Sequence, residues 1–377
     1  MRILILGGSG ILSTDFTKKV LDEGNEVYVL NRGRRPQFID KRCKLIVADI
    51  RTESIEELRT KVGTGKYDVV VDFLSFNVAQ LKKCLTVISE LFEQYIFISS
   101  ATVYKKENEQ QIIDENTPIG NDRWLYAIEK VACEEYLREK DINYTIIRPY
   151  VTYGKSRIPF PIIPDVNHYS LLARIIEEKP VVMYEGGKAL CTLTSTIDFA
   201  EILYKLLLNE KAYKEDFHIT SCFTQTWQNV YEEICKLLGK NPNAISVTDK
   251  EIAKYMPEYR EILLGDKGTN MVFDNSKVLN AIGGYEFKID LQEGLRQSID
   301  FYLENEFMHM IDYKWEGECD FLIYKLKGIK STCVNTKSVS SSRKIYYYIM
   351  CKQPLRGFVE LVRTARRILR NRKGDRK

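Results

Sequence analysis

The sequence predicts an α/β fold: a doubly wound parallel sheet, a smaller α/β substrate lobe and a C-terminal helical extension. Three observations predict it. Apolar strand patterns alternate with helical ones from Arg2 to Arg148, the first strand runs straight into a Gly-Gly-Ser-Gly turn, and the texture changes after Gly154. Residues 2–6 form an apolar run broken by that turn, so they read as a buried strand. Ile11, Leu12, Phe16, Val20 and Leu21 then recur at helical spacing over 11–23. Five further strands are expected at Glu26–Leu30, Lys44–Ala48, Tyr67–Phe73, Tyr95–Ser99 and Tyr144–Arg148. Their near-continuous apolar character fits a parallel sheet covered on both faces. Residues 155–167 are Pro-rich and irregular. Helices and short strands alternate to about residue 305, while 306–342 shows no clear pattern and 331–342 is a polar Ser/Thr-rich linker. The expected domains are 1–165, an interleaved substrate lobe at 166–305, and an extension at 306–377.

Composition bounds the class. Of 377 residues, 44% are hydrophobic and 29% charged, enough apolar mass for a large core. No apolar run reaches the roughly 18 residues of a membrane span, and the N-terminal run is too short for a signal peptide. Nine scattered cysteines without a C-x-x-C pair predict reduced thiols and a cytoplasmic protein. Three histidines make a histidine-rich metal site an unpromising reading, so no metal is expected. Charge is uneven. Residues 343–377 hold twelve Lys and Arg against Glu360 and Asp375, so a tail of +10 sits on a net acidic body within a whole-chain +4. At 100° per residue, 355–373 puts Leu355, Phe358, Leu361, Val362, Ile368 and Leu369 on one half and Arg356, Arg363, Arg367 and Arg370 on the other. Such a helix, with Tyr346–Tyr348 upstream, predicts peripheral contact with the inner membrane face. The rival is docking on its own domain or on the partner in a homodimer. Nucleic acid is the weakest reading, because no binding module is recognisable.

The residues that carry chemistry lie mainly in the first half. Gly8-Ser9-Gly10-Ile11-Leu12-Ser13 is a G-x-G-x-x-G fingerprint whose last glycine is serine. After a strand and before a helix, it cradles a pyrophosphate at the helix N-terminus. The second strand ends Leu30-Asn31-Arg32-Gly33-Arg34-Arg35, with no acid for a ribose 2′-hydroxyl. Guanidinium groups match a 2′-phosphate, so the cofactor is NAD or NADP with NADP favoured. Asp49-Ile50 would bracket the adenine, and Phe73-Leu74-Ser75 would lie along the nicotinamide side. Ser100 follows the fifth strand, and Tyr126 and Lys130 stand four apart on the next helix, hence on one face. A free tyrosine titrates near pH 10; a nearby ammonium favours its phenolate and equips it as a base.

These motifs resemble the extended short-chain dehydrogenase/reductase superfamily, and within it the NAD-dependent epimerase/dehydratase family. The resemblance runs from Met1 to about Tyr302 through GGSGILS, FISSATVY (97–104), YAIEK (126–130) and RPYVTYG (148–154). Thr196-Ile-Asp198-Phe-Ala200 and the stretches FHITSCFTQTWQNVYEEI, LLGDK and FDNSKV are similar to later segments of a bacterial subgroup. It implies Ser100, Tyr126 and Lys130 as catalytic residues. It implies cofactor contacts at Gly7, Gly8, Gly10, Ile11, Leu12, Asn31, Arg32, Asp49, Ile50, Phe73, Leu74, Ser75, Tyr126, Lys130 and Tyr150. A sugar or nucleotide-sugar substrate would meet Thr102, Val151 and Lys188. Two departures concern that substrate. Val151 stands where the family has asparagine, and Cys191 lies near its diphosphate-binding arginine, for which Lys188 or Arg174 would have to compensate. Ala101-Thr102 replaces the acid pair of dehydratases, which favours epimerisation or simple redox. A plain NADP-dependent reductase and a non-catalytic RNA-binding relative are the alternatives.

Overall fold

Each of the six apolar runs read as strands in the first 150 residues enters one sheet. The computed structural model describes residues 1–105, 112–334 and 347–351. The strands are β1 (Arg2–Leu6), β2 (Glu26–Asn31), β3 (Lys44–Val47), β4 (Tyr67–Asp72), β5 (Phe92–Ile98), β6 (Tyr144–Pro149) and β7 (Glu215–Ile219). Their order is β7-β6-β5-β4-β1-β2-β3, parallel throughout. The order reverses between β1 and β4; ligands of open α/β sheets bind beyond the carboxyl ends of the strands at such a switch point.

Helices α1 (Ile11–Asp22), α2 (Ile55–Val62), α3 (Val78–Ile88), α4 (Leu125–Arg138), α5 (Tyr169–Ile176) and α6 (Thr196–Lys205) account for most of the helical patterns. The two-residue alternation of β1 divides its side chains between two apolar clusters. Ile3 and Ile5 pack with Phe16 and Val20 of α1 and Phe199 and Leu203 of α6. Leu4 and Leu6 pack with Leu58 of α2, Leu81 and Val87 of α3, and Leu137 of α4. Each such buried side chain contributes roughly 1.5–3 kcal/mol, so the layers hold the strand ends in a fixed frame.

The chain divides into two compact units. The first comprises Met1–Pro159, Lys188–Val230 and Glu261–Asp300; the second comprises Phe160–Gly187, Tyr231–Arg260 and the chain from Phe301 onward. Segments 188–230 and 261–300, expected in the substrate lobe, therefore pack with the sheet. One of them supplies β7.

The second unit explains the unreadable stretch after residue 305. Tyr313–Lys327 is a helix whose buried side chains include Trp315, Cys319 and Phe321 but also Glu316, Glu318 and Asp320. Acids on an inward face erase the apolar stripe by which such a helix is recognised. Their partners come from α5 and the turn after it. Arg174 donates to Glu316 at 2.8 Å and to Asp320 at 2.7 Å. Lys179 donates to Glu316, to Asp320 at 2.8 Å and to the Thr332 carbonyl at 2.8 Å. Arg174 is thus spent on ion pairs, which corrects its reading as a substitute diphosphate ligand. The Tyr347 hydroxyl donates to Asp320 at 2.5 Å, so this tyrosine is buried rather than presented to a membrane; Tyr348 is exposed. The basic helix expected at 355–373 lies outside the described residues. Among the described residues no helix is long and apolar enough to cross a membrane. Among the described residues no two cysteines form a disulfide.

Candidate active site

The glycine turn owes its shape to contacts on both sides. Gly7 has φ +97°, and a Cβ there would come within 2.9 Å of Leu74. A Cβ on Gly8 would come 2.7 Å from Val29 on β2, so this glycine is required by close packing rather than by its own torsion. Ser13, which replaces the last glycine of the fingerprint, staples the turn. Its hydroxyl donates to the Gly7 carbonyl at 2.7 Å and accepts from the Gly10 amide at 2.8 Å. The first-turn amides of Ile11 and Leu12 have no intrahelical acceptor, and the helix dipole there favours an anion.

At the end of β2, the buried Asn31 accepts the Gly33 amide at 2.8 Å, while its own Nδ2 is buried without a partner. Arg32, Arg34 and Arg35 are exposed. Asp49 is half-buried and accepts the Arg51 amide at 3.0 Å beside the buried Ile50. A cradle that a Cβ would fill, free helix-end amides and an orphaned carboxamide together fit a dinucleotide.

Ser100 lies just past β5, and the two-residue alternation sends adjacent serines different ways. Ser99 donates to the buried Glu134 at 2.6 Å, joining the Glu134–Arg148 ion pair of 2.7 Å. Ser100 accepts from the Thr102 hydroxyl at 3.0 Å. Tyr126 enters on the first turn of α4, its ring 4.8 Å from Trp124 and 6.3 Å from Phe76. Burial pushes its phenol up to about 12, against the opposing influence of the Ser100 hydroxyl and Arg157. One turn on, Lys130 is fully buried. Its Nζ donates to the carbonyls of Ser75 and Ile98, both at 2.8 Å, and lies 5.9 Å from the Tyr126 ring. Burial pushes its ammonium down to about 8, with Asp72 the largest opposing influence. The structure therefore brings Ser100, Tyr126, Lys130, Thr102 and the Ser75 loop together.

Tyr150 is buried beside Phe273, its hydroxyl without a partner, and burial drives its titration well above the usual range. Val151 is buried, whereas Lys188 is exposed before the strand Leu190–Thr192. Cys191 is a buried thiol facing the Gln225 carbonyl at 3.3 Å. Two contributors escaped sequence reasoning. Asn121 donates to the carbonyls of Thr102 and Gly265, each at 2.7 Å, and so ties the Ser100–Thr102 loop to the segment 263–267. Asp72, at the end of β4, holds the loop that Lys130 touches. An acid closing the apolar run YDVVVDF was the signal available for it.

A model of the NAD dependent epimerase/dehydratase family matches residues 3–220. The chain belongs to that family. That family is one of NAD-dependent enzymes. The chain of this family member is 25% identical over 318 residues to the chloroplast stem-loop binding protein of 41 kDa b from Arabidopsis thaliana, covering 80% of this chain and 79% of the relative. It is 24% identical over 278 residues to 2'-dehydrokanamycin reductase from Streptomyces kanamyceticus, covering 73% and 77%. In fold it is similar to the UDP-glucose 4-epimerase of Thermus thermophilus, solved in complex with NAD. The TM-score is 0.65 at 18% identity, covering 80% of this chain and 99% of that one.

Proposed function

We propose that this family member acts on a sugar, a nucleotide sugar by analogy with its structural neighbour, through Tyr126-assisted hydride transfer. The observation that carries the reading is the grouping of Ser100, Tyr126 and Lys130 on the loop and helix beside the Phe73–Ser75 segment. A bound nicotinamide dinucleotide supplies the hydride acceptor and donor. Gly7, Gly8, Gly10, Ile11, Leu12, Asn31, Arg32, Asp49, Ile50 and Tyr150 would hold it. Tyr126 takes or returns the proton of the reacting hydroxyl, Ser100 and Thr102 hold the same oxygen, and the Lys130 ammonium favours the phenolate. Burial alone raises the phenol, so Tyr126 works as a base only with positive charge beside it. Val151 and Cys191 are buried and uncharged and Arg174 is held by ion pairs, which leaves the exposed Lys188 as the diphosphate contact of this reading.

The test is mass spectrometry of the purified protein and of its products after incubation with nucleotide sugars and free sugars. Co-purified nicotinamide dinucleotide and an isomeric product support an epimerase, and loss of water supports a dehydratase. No bound nicotinamide, no product and salt-sensitive RNA binding would overturn the enzyme reading. A second reading, an NADP-dependent reductase, is favoured by the exposed Arg32, Arg34 and Arg35 after a β2 that ends without an acid. It requires tighter NADPH than NADH binding, with the preference lost in Arg32→Ala.

A further inference from the structure

We infer that Asp72 is a positioning residue for the proposed reaction: through the Phe73–Ser75 loop it holds the glycine turn and Lys130 in register, and its negative charge is the counterion of that buried ammonium. The inference rests on the cofactor site proposed above.

Asp72 is completely buried at the carboxyl end of β4. Its carboxylate accepts the Tyr95 hydroxyl at 2.6 Å and the amides of Leu74 and Ser75 at 2.8 and 3.0 Å. Those three donors are neutral, so hydrogen bonds satisfy the oxygens without cancelling the charge. The two amides belong to the loop that reaches both halves of the site. Leu74 fills the space a Gly7 side chain would need, and the Ser75 carbonyl accepts from Lys130 at 2.8 Å.

The remaining groups around the pair are few. Lys130 is faced by the carbonyls of Ser75 and Ile98, the rings of Phe76, Phe97 and Tyr126, and Cys133 and Glu134 on its own helix. Asp72 is faced by Tyr95 of β5, Cys84 of α3 and Cys133 of α4. The thiols and Tyr95 are held protonated by burial, and Glu134 is engaged by Arg148. Asp72 is therefore the carboxylate left to balance Lys130. A loop that needed only its amides capped would be served by asparagine; aspartate adds a charge.

Asp72→Asn separates these roles, because the carboxamide oxygen still accepts the two amides and its nitrogen meets the Tyr95 oxygen. The measurement is NMR titration of Lys130 in lysine-13C protein, assigned with Lys130→Met, beside NADH fluorescence titration across pH. In the wild type the expected midpoint is the one to which burial pushes the ammonium down, about 8. Asp72→Asn lowers that midpoint by about one unit or more and weakens NADH about twofold or more at neutral pH, recovering at acid pH where the ammonium returns. Tyr95→Phe keeps the charge but loosens the loop. It leaves the midpoint at or above the wild-type value and weakens NADH severalfold at every pH, a result that carries the test should Asp72→Asn fail to fold. An unchanged Lys130 midpoint in a folded Asp72→Asn protein overturns the inference, as does wild-type NADH binding in both variants. A wild type that binds neither NADH nor NADPH strikes the proposed function instead, while the Lys130 titration still decides the role of Asp72.

Discussion

Two buried lysines handle charge in opposite ways. In the second unit Lys179 sits with Arg174 against the carboxylates of Glu316 and Asp320, two cations for two anions, all within hydrogen-bond reach. In the first unit Lys130 is equally buried but donates its hydrogen bonds only to backbone carbonyls, and burial pushes its ammonium down to about 8. The first arrangement fixes protonation and geometry together. The second holds geometry firmly and leaves the charge responsive, as acid–base chemistry near neutral pH requires. A buried ion pair is therefore a structural device here, and an incompletely matched cation marks the proposed site.

The comparison breaks most visibly on substitution at the two lysines. Lys130→Met, and likewise Tyr126→Phe, is expected to lower turnover by about 10²–10⁴-fold. Lys130→Met should cost far less stability than Lys179→Met, because it removes a desolvated cation while the Asp72 carboxylate keeps its three hydrogen-bond donors. Steady-state rates and calorimetry check both halves. Lys179→Met should do the reverse. Two buried carboxylates lose a partner, so stability falls by about 3–5 kcal/mol in denaturant titration. The Lys130 pocket remains chemically intact in that variant. Equal stability losses at both lysines would erase the distinction.

Much of this site was legible because its signals are local. The glycine turn, the serine after β5 and the Tyr–Lys pair each lie within one strand–turn or one helical turn, where spacing converts directly to geometry. Six strands were legible for the same reason. β7 was not read into the sheet, because Glu215–Ile219 is short and returns to β6 only after a long excursion. Arg174 was misread because nothing around it in sequence shows that Glu316 and Asp320, more than 140 residues on, would claim it. The helix carrying those acids concealed itself for the same reason, its polar residues facing inward to meet α5. Asp72 was visible as a residue and invisible as a role, since its partners Tyr95 and Lys130 come from other elements.

The pH dependence of stability sharpens the comparison by a smaller amount. Lys130 titrates at 10.5 in its unperturbed state and at about 8 when folded, so between these values the unfolded chain binds the extra proton. Stability contributed by this residue is therefore poorest below pH 8 and rises as pH climbs toward 10.5, by on the order of 3 kcal/mol in total. Buried tyrosines and cysteines with raised titration work the other way in the same range. The clean measurement is thus the difference between wild type and Lys130→Met in urea titrations at successive pH values. The stability of Lys130→Met relative to the wild type should fall as pH rises. A constant difference would mean that Lys130 is not a strained cation.

The smallest expected effect concerns how far the ionic cluster of the second unit extends along the chain. Tyr347 lies beyond the 335–346 stretch, yet its hydroxyl reaches Asp320 at 2.5 Å and its ring lies 5.7 Å from the Lys179 Nζ. A hydrogen bond to a charged acceptor contributes about 1.5–3 kcal/mol. Arg174 and Lys179 continue to satisfy the Asp320 carboxylate, so Tyr347→Phe should cost toward the lower end of that range. Tyr348→Phe, on an exposed ring, should cost nothing measurable and serves as the control. If Tyr347→Phe were equally silent, the cluster would end at Thr332, and residues 347–351 would contribute no stability to the unit through this bond. If it cost as much as Lys179→Met, the tyrosine would be an essential member of the charge balance rather than its outer cap.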